Sequence, residues 1–330
     1  MKAIVYTEYG SPDVLHLQEV EKPTPKDNEV LIKVHATSVT FGDLLVRNIR
    51  TLTPFKFSMP TPLWLPTRLI FGFNKPKKQI LGAELSGTIE SIGKDVTRFK
   101  VGDEVFGYPG QNFGANAEYI TMSEKGMVAI KPTNVTFEEA TTIPYGAMTA
   151  LNVLKKANIQ AGQKVLINGA SGAIGSYAVQ FAKSYGAEVT GICGTERLDF
   201  VKALGADHVI DYKKEDFTKN GETYDLILDV PHTTTFAKSK NSIKEGGIYM
   251  LASFKTRQVF QMLWTKFFGN KRVICAMSME TQDDLVLVKE LTENGTIKTI
   301  VDRCFPLEQT ADAHRYVESG RKTGHVVITI

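Results

Sequence analysis

Cysteine is scarce in this chain, and the few cysteines present are widely separated. Cys193, Cys275 and Cys304 are odd in number and lie far apart along the sequence. This spacing forms neither a disulfide framework nor a zinc-ribbon motif. The cysteine usage therefore favours a reducing compartment.

Long apolar runs are absent as well. No stretch reaches the roughly 18 consecutive apolar residues that suggest a membrane-spanning helix. Residues 1–6 read as a strand and lack the apolar region and small-residue cleavage site of a signal peptide. We therefore expect a cytoplasmic protein without integral membrane association.

Charge of either sign is nearly balanced. The formal net charge is +3, 42% of the residues are hydrophobic and 23% are charged, which is typical of a globular protein. No basic face is evident, so a nucleic-acid partner is not expected. A length of 330 residues suggests about two domains.

The pattern of short runs changes along the chain. Residues 1–125 contain β-like runs separated by turn residues, which predict a compact β-rich domain. Strand-like and helix-like runs then alternate, which predicts a doubly wound parallel sheet in an α/β domain. The final strand-like run, 324–330, suits a return to the first domain. We assign 1–125 and 273–330 to the first domain and 126–272 to the second.

The most informative segment is the glycine-rich turn Gly169–Gly175. It follows the strand-like run 164–168 and opens the helix-like run 176–185, an arrangement that binds a pyrophosphate at a helix N-terminus. The residues predicted to bind a dinucleotide here are Gly169, Ser171, Gly172, Ala173, Ile174 and Gly175.

The next strand-like run ends without a carboxylate. An NAD-preferring site has Asp or Glu there, which accepts hydrogen bonds from the ribose. This chain has Cys193, followed by Thr195 and Arg197, which suit a 2′-phosphate. The sequence thus predicts NADP(H) in preference to NAD(H). The alternative is that Arg197 is solvated, and Glu196 is expected to point away from the ligand.

Several segments resemble one family over essentially the whole chain: Ala3–Tyr6, Leu81–Gly87, Val101–Gly107, Ala117–Tyr119 and Gly169–Gly175. They resemble the medium-chain dehydrogenase/reductase superfamily, in its zinc-free quinone oxidoreductase and enone reductase branch. The resemblance implies a GroES-like catalytic domain, a Rossmann domain and an active-site cleft between them. It also implies a homo-oligomer.

Zinc members of this superfamily bind the metal through residues that this chain has replaced. The positions that resemble the Cys and His ligands hold Thr40 and Ala83, and the third position falls near Pro144 and Tyr145. None of these supplies a usual zinc ligand, so no metal is expected. Glu84 is interpreted as a structural hydrogen-bonding carboxylate.

Without zinc, the favoured reaction is hydride transfer from NADPH to a lipophilic quinone or α,β-unsaturated carbonyl. The developing enolate or phenolate is delocalised and can be held by hydrogen bonds, whereas an alkoxide needs a Lewis acid or a strong proton relay. Two alternatives stay open: a metal-free carbonyl or alcohol dehydrogenase, and an NADPH-binding interaction protein without turnover.

Three residues are candidates for the catalytic site through the resemblance. The family's loop with an Asn and a Tyr corresponds here to residues 40–45, which keep Asp43 but have Thr40 and Leu45 at the Asn and Tyr positions. Thr40 is a candidate donor to the substrate, and Asp43 orients the loop or the cofactor, or only binds nearby amides. Tyr145 acts as an acid or lines the wall beside the nicotinamide.

The resemblance also adds cofactor contacts outside the glycine turn. Thr149 precedes a helix in the matching motif, and Tyr212 matches a tyrosine near the adenosine phosphate. Ser253 and Phe254 follow the fifth strand, where relatives hold the nicotinamide ring.

Two apolar segments, 54–73 and 259–268, contain the two tryptophans of the chain. The second has apolar residues at 259, 260, 263, 264 and 267, which predict an amphipathic helix. One hypothesis is a lid over a lipophilic substrate, and another is core packing of the two segments. A third is peripheral membrane contact, because basic residues surround both segments.

Overall fold

The computed structural model describes residues 1–54 and 59–330. Its strands are β1 Lys2–Val5, β2 His16–Glu19, β3 Glu29–Ser38, β4 Leu85–Ile92, β5 Glu104–Gly107, β6 Tyr119–Ser123, β7 Val128–Ile130, β8 Lys164–Asn168, β9 Glu188–Cys193, β10 His208–Asp211, β11 Tyr224–Asp229, β12 Ile243–Leu251, β13 Arg272–Cys275, β14 Val301–Pro306 and β15 His325–Thr329. Its α-helices are α1 Phe41–Arg47, α2 Trp64–Phe71, α3 Phe137–Ala140, α4 Ile143–Lys155, α5 Ala173–Ser184, α6 Leu198–Ala203, α7 Phe236–Ser239, α8 Thr256–Phe267, α9 Gln282–Glu293 and α10 Thr310–Glu318.

The chain divides into two compact units. The first comprises Met1–Thr53, Leu65–Met148 and Glu280–Ile330, and the second comprises Pro54–Trp64 and Thr149–Met279. The domain limits assigned from the sequence, 1–125 with 273–330 and 126–272, stay a prediction.

The first unit is built on a seven-stranded sheet in the order β14-β15-β3-β4-β5-β7, with β6 paired to β3. Apart from the parallel pair β14 and β15, its strands pair antiparallel. In the central strand β3, Val30, Ile32 and Val34 point to one face and enter one buried cluster. On the other face Leu31 is buried and Lys33 is exposed, so both faces of the strand are partly covered. The prediction of a β-rich first half is confirmed.

The second unit contains a parallel six-stranded sheet in the order β10-β9-β8-β11-β12-β13. Val165, Leu166 and Ile167 of β8 are fully buried, as expected for a strand covered on both faces of a parallel sheet. The strand order reverses between β8 and β11, which defines the switch point where such sheets bind ligands. The predicted doubly wound sheet is confirmed.

Two local predictions need correction. Residues 40–45, expected as a loop, lie mostly in α1, because Thr40 and Asp43 form a capping box that starts a helix. Helix α5 begins at Ala173 rather than at residue 176, since Gly172 serves as its N-cap directly after the turn.

Candidate cofactor site and candidate active site

The glycine turn of the second unit has the geometry that a pyrophosphate needs. Gly169 has φ of +83°, which favours glycine. A Cβ on Gly175 would lie 2.1 Å from the carbonyl oxygen of Gly169, so only glycine lets the turn pack against α5. Gly172 caps α5 without a side-chain hydrogen bond, which leaves the first amides of the helix to bind an anion. Ser171, Ala173 and Ile174 lie within this turn and the start of α5. The turn therefore fits a dinucleotide.

The adenosine-binding end was predicted at the end of β9. Thr195 lies there, and its hydroxyl donates to Asp211 at 2.6 Å. Asp211 ends the neighbouring strand β10, opposite Cys193, and sequence reasoning missed it because it considered only the end of β9. The hydrogen bond from Thr195 is the main cause that lowers the pKa of Asp211, so a carboxylate does lie at this corner.

Other residues singled out from the sequence lie at this corner. Glu196 accepts hydrogen bonds from Lys213 at 2.9 and 3.1 Å, and its charge is thereby neutralised. Tyr212 is 60% exposed, and its hydroxyl would lie 3.5 Å from a Cβ on Gly194. Arg197 ends the short 3₁₀ turn after Gly194 and is half-buried.

The remaining predicted cofactor residues lie on other elements. Thr149 is in α4 and buried. Ser253 follows β12, and the ring of Phe254 packs into the core of the second unit. His232 of the loop after β11 contacts the Gln258 amide at 3.0 Å.

In the first unit, Asp43 is fully buried and its hydrogen bonds are local. One oxygen accepts from the amide and the hydroxyl of Thr40, at 2.8 and 2.5 Å, and the other accepts from the Gly82 amide at 2.8 Å. Burial raises the pKa of Asp43, against the effect of these bonds. Thr40 thus directs its hydroxyl proton at Asp43, an arrangement that favours a positioning role for both residues.

Glu84 is the second buried carboxyl of this unit. It accepts hydrogen bonds from the Ser38 hydroxyl and, at 2.8 Å, from the Tyr145 amide, while His325 Nδ1 lies 3.8 Å away. Burial raises the pKa of Glu84 to about 8, with a further increase from Asp43 and a decrease from Ser38, Tyr145 and Lys322. Burial thus shifts Glu84 toward its protonated form.

Two tyrosines face the same acidic groups. Burial is the main cause that raises the pKa of Tyr145 and of Tyr108, and the charges of Glu84, Glu280 and Asp43 raise both further. Both are protonated at neutral pH and able to donate a hydrogen bond.

Tyr108 and Glu280 were missed at the sequence level. Tyr108 directly follows the family segment Val101–Gly107, which was the available signal. Glu280 begins the last segment of the first unit, far from Tyr108 in sequence, and no local pattern marks it.

The residues at the zinc-ligand positions do not fit a catalytic zinc ion. Thr40 bonds Asp43, and Ala83 is a buried methyl group. The nearby carboxyl oxygens of Asp43 and Glu84 are occupied by protein donors. In the part of the chain that is described, no three His, Cys, Asp or Glu side chains converge on a metal-binding geometry.

The two apolar segments contain α2 and α8. Residues 55–58 of the first segment lie outside the described residues. Within the second unit, the Thr61 amide donates to the Thr256 hydroxyl at 2.8 Å, which joins the two segments at the start of α8. Among the described helices, none has the length and apolar character to cross a membrane.

Comparison with known proteins places this geometry in a family. The profile of the Alcohol dehydrogenase GroES-like domain matches residues 26–132, and that of the Zinc-binding dehydrogenase matches residues 204–328. The 2-methylene-furan-3-one reductase of Solanum lycopersicum is 33% identical, over 99% of this chain and 79% of that protein. The chloroplastic NADPH-dependent alkenal/one oxidoreductase of Arabidopsis thaliana is 31% identical, over 99% and 79%. The quinone oxidoreductase structure from Coxiella burnetii has a TM-score of 0.83 at 27% identity, over 100% and 99%.

The chain therefore belongs to the medium-chain dehydrogenase/reductase superfamily, in its quinone oxidoreductase branch. It is an NAD(P)H-dependent oxidoreductase with a GroES-like domain and a Rossmann-like sheet. These predictions are confirmed. The Arabidopsis relative is chloroplastic, and the cytoplasmic location of this chain stays a prediction.

Substitution of Gly172 tests the cofactor turn without straining it. Its φ of −83° and ψ of 175° suit any residue, and a Cβ there would have only the Gly169 oxygen within 4 Å, at 3.4 Å. We expect Gly172→Ala to keep the wild-type melting temperature. The methyl group would hinder the approaching pyrophosphate and raise the Kd for NADPH about tenfold or more, a loss of about 1.4 kcal/mol.

The measurement is a fluorescence titration with NADPH. Gly42→Ala is the matched control, because its Cβ would also meet its nearest atom, the Thr40 hydroxyl oxygen, at 3.4 Å. Unchanged NADPH affinity in Gly172→Ala contradicts the assignment of the turn.

Substitution of Glu84 tests its protonation. The unfolded chain loses this proton near the ordinary glutamate pKa of 4.5, and the folded chain loses it near 8, so stability falls as pH rises between these values. Glu84→Gln cannot ionise. Relative to wild type, it is expected to gain stability with rising pH, by at most about 1.4 kcal/mol per pH unit.

Urea unfolding of both proteins at pH 5.5, 7.0 and 8.5 measures this difference. Glu8→Gln, at an exposed position, serves as control. Parallel stability curves for wild type and Glu84→Gln would show that Glu84 is ionised across this range.

Proposed function

We propose that this protein is a zinc-independent reductase that transfers a hydride from NADPH to a quinone or an α,β-unsaturated carbonyl. The observation that carries the proposal is the placement of two half-buried tyrosines, Tyr108 and Tyr145, near the buried carboxyls Glu84 and Asp43 in the unit that contains the GroES-like domain match. NADPH, when bound, supplies the hydride. The names of the relatives, which act on an enone, on alkenals or enones and on quinones, agree with this substrate class.

The preference for NADPH rests on the corner after β9. Arg197 and Tyr212 would bind the 2′-phosphate, while Lys213 pairs with Glu196. Thr195 would donate to the phosphate only after releasing Asp211, to which it now donates its one hydroxyl proton. The negative charge of Asp211 would repel a phosphate at this corner. Asp211 is partly stabilised by hydrogen bonds that it accepts from the Thr195 hydroxyl and, at 3.0 Å, from the Lys213 amide. We propose that Thr149, Ser253 and Phe254 contact the rest of the cofactor. Ser253 and Phe254 would lie at its nicotinamide end.

On the substrate side, we propose that Tyr145 or Tyr108 donates a hydrogen bond to the substrate oxygen and keeps its proton, because burial raises the pKa of both hydroxyls. The proton that completes the reduction would come from solvent water. A neutral hydroxyl in a water-poor site stabilises the developing oxyanion more strongly than water does. Glu84 positions Tyr145 through its backbone amide. Thr40 and Asp43 support this surface through their capping box.

The direct test is NADPH oxidation measured with quinones, enones and saturated aldehydes, and NADP⁺ reduction measured with alcohols, together with metal analysis of the purified protein. Turnover with quinones or enones and no stoichiometric zinc is the expected result. Turnover confined to saturated carbonyls or alcohols would favour a carbonyl or alcohol dehydrogenase. NADPH binding without turnover would favour an interaction protein.

Arg197→Ala tests the cofactor preference. We expect kcat/KM for NADPH to fall about 10-fold to 100-fold, which corresponds to one charged hydrogen bond, and kcat/KM for NADH to stay nearly constant. Steady-state kinetics with both cofactors measure this, with the 80% exposed Lys219 replaced by Ala as control. An equal loss for both cofactors contradicts a 2′-phosphate contact.

Tyr145→Phe and Tyr108→Phe identify the hydrogen-bond donor to the substrate oxygen. Removal of the donor is expected to lower kcat about 100-fold or more, while NADPH affinity stays at the wild-type value. Tyr185→Phe is the control, since Tyr185 lies at the far end of α5 from the glycine turn. Full kcat in both single variants and in the double variant would mean that neither tyrosine donates this hydrogen bond.

A further inference from the structure

Helix α8 has two apolar faces, of which only one is buried. Val259 and Met262 pack against the core of the second unit, and the buried Thr265 hydroxyl accepts a hydrogen bond from the Val273 amide at 2.9 Å. These contacts fix the helix on β13. They also determine which face of α8 is turned outward.

The outward face forms a continuous apolar stripe, which we define as Phe260, Leu263, Trp264 and Phe267. These residues have the helical spacing i, i+3, i+4 and i+7. Their exposed fractions are 67%, 47%, 64% and 72%, and the following Phe268 is 59% exposed. Single exposed apolar residues are ordinary on protein surfaces, but a contiguous patch of exposed apolar side chains marks an interaction surface.

The charged residues of the segment that carries the stripe are of one sign. Residues 255–272 contain Lys255, Arg257, Lys266, Lys271 and Arg272 and no Asp or Glu. Lys271 is partly neutralised, because it lies 3.5 Å from Glu245 of β12. Arg257, Lys266 and Arg272 are exposed, so the stripe is bordered by uncompensated positive charge.

We propose that α8 binds reversibly to an anionic membrane surface, with the apolar stripe in the headgroup region and the basic residues on lipid phosphates. Aromatic and leucine side chains beside Lys and Arg are the composition of helices that lie in the membrane interface. The twelve residues of α8 extend about 18 Å, which is too short to span the roughly 30 Å hydrocarbon core.

A second copy of the chain is the less favourable occupant. An isologous contact would place the same patch on both sides and bring two sets of basic residues together, and like charges across an interface oppose association. An anionic lipid surface satisfies both the apolar stripe and its charge.

The test uses the full chain with Trp64→Phe, which leaves Trp264 as the sole tryptophan. Sedimentation and tryptophan fluorescence are measured with vesicles of phosphatidylcholine alone and with 30% phosphatidylglycerol. We expect binding and a blue shift with the anionic vesicles, weakened by salt, and little binding to the neutral ones.

Two double variants separate the contribution of the basic residues to membrane binding from that of the apolar stripe. Arg257→Glu with Lys266→Glu is expected to weaken binding about 30-fold or more, on the basis of about 1 kcal/mol for each basic residue near the surface. Phe260→Ser with Phe267→Ser is expected to abolish binding. The matched controls, Lys26→Glu with Lys94→Glu and Val101→Ser, change exposed residues of the first unit and are expected to bind like wild type.

Three results would overturn the proposal. These are no binding to anionic vesicles at low salt, binding that is equal for neutral vesicles, and binding that the charge-reversal variant retains. Light scattering in solution tests whether the stripe instead binds a second copy of the chain. A wild-type oligomer that dissociates in the Phe260→Ser and Phe267→Ser variant would assign the stripe to self-association.

Discussion

The burial of Glu84 is the constraint on which the candidate site of the first unit depends. Removing a carboxyl group from water costs several kcal/mol unless its oxygens are hydrogen bonded, and Glu84 meets this requirement with Ser38 and the Tyr145 amide. Ser38 ends β3, Glu84 directly precedes β4 and Tyr145 lies in the first turn of α4. One side chain therefore joins three elements and determines where the tyrosine of the candidate site stands.

The second unit contains a corresponding buried group at the ligand-binding end of its sheet. Asp229 ends β11 and accepts hydrogen bonds from Asn168 at 2.9 Å and from Tyr249 at 2.8 Å. It also accepts from the amides of Thr233 and Thr234 in the loop that follows. These bonds join β8, β11 and β12 beside the switch point, so the strand that leads into the glycine turn is held by polar contacts as well as by its apolar core.

Local patterns were enough to predict the alternating strands and helices and the glycine turn. Their signals are the spacing of apolar residues, the turn residues and the residues that start a helix, and all of these lie within a short stretch of chain. Residues 40–45 were expected to form a loop, but the capping box of Thr40 and Asp43 starts a helix there. The missed groups depend on long-range register. Asp211 reaches Thr195 only because β10 pairs with β9, and Tyr108 meets Glu280 across more than half of the sequence.

The replacement of the zinc ligands and the protonation of the remaining groups point to the same chemistry. A metal stabilises a localised alkoxide by direct charge interaction, whereas Thr40 and Ala83 supply no such charge. Burial raises the pKa of Tyr108, Tyr145 and Glu84 and favours their protonated forms, and a hydrogen bond from a neutral donor contributes about 3–4 kcal/mol in a preorganised site. A contribution of this size suits an oxyanion whose charge is already spread over a conjugated system. Half-buried, neutral tyrosine donors thus favour the conjugated acceptors proposed for this protein over saturated carbonyls.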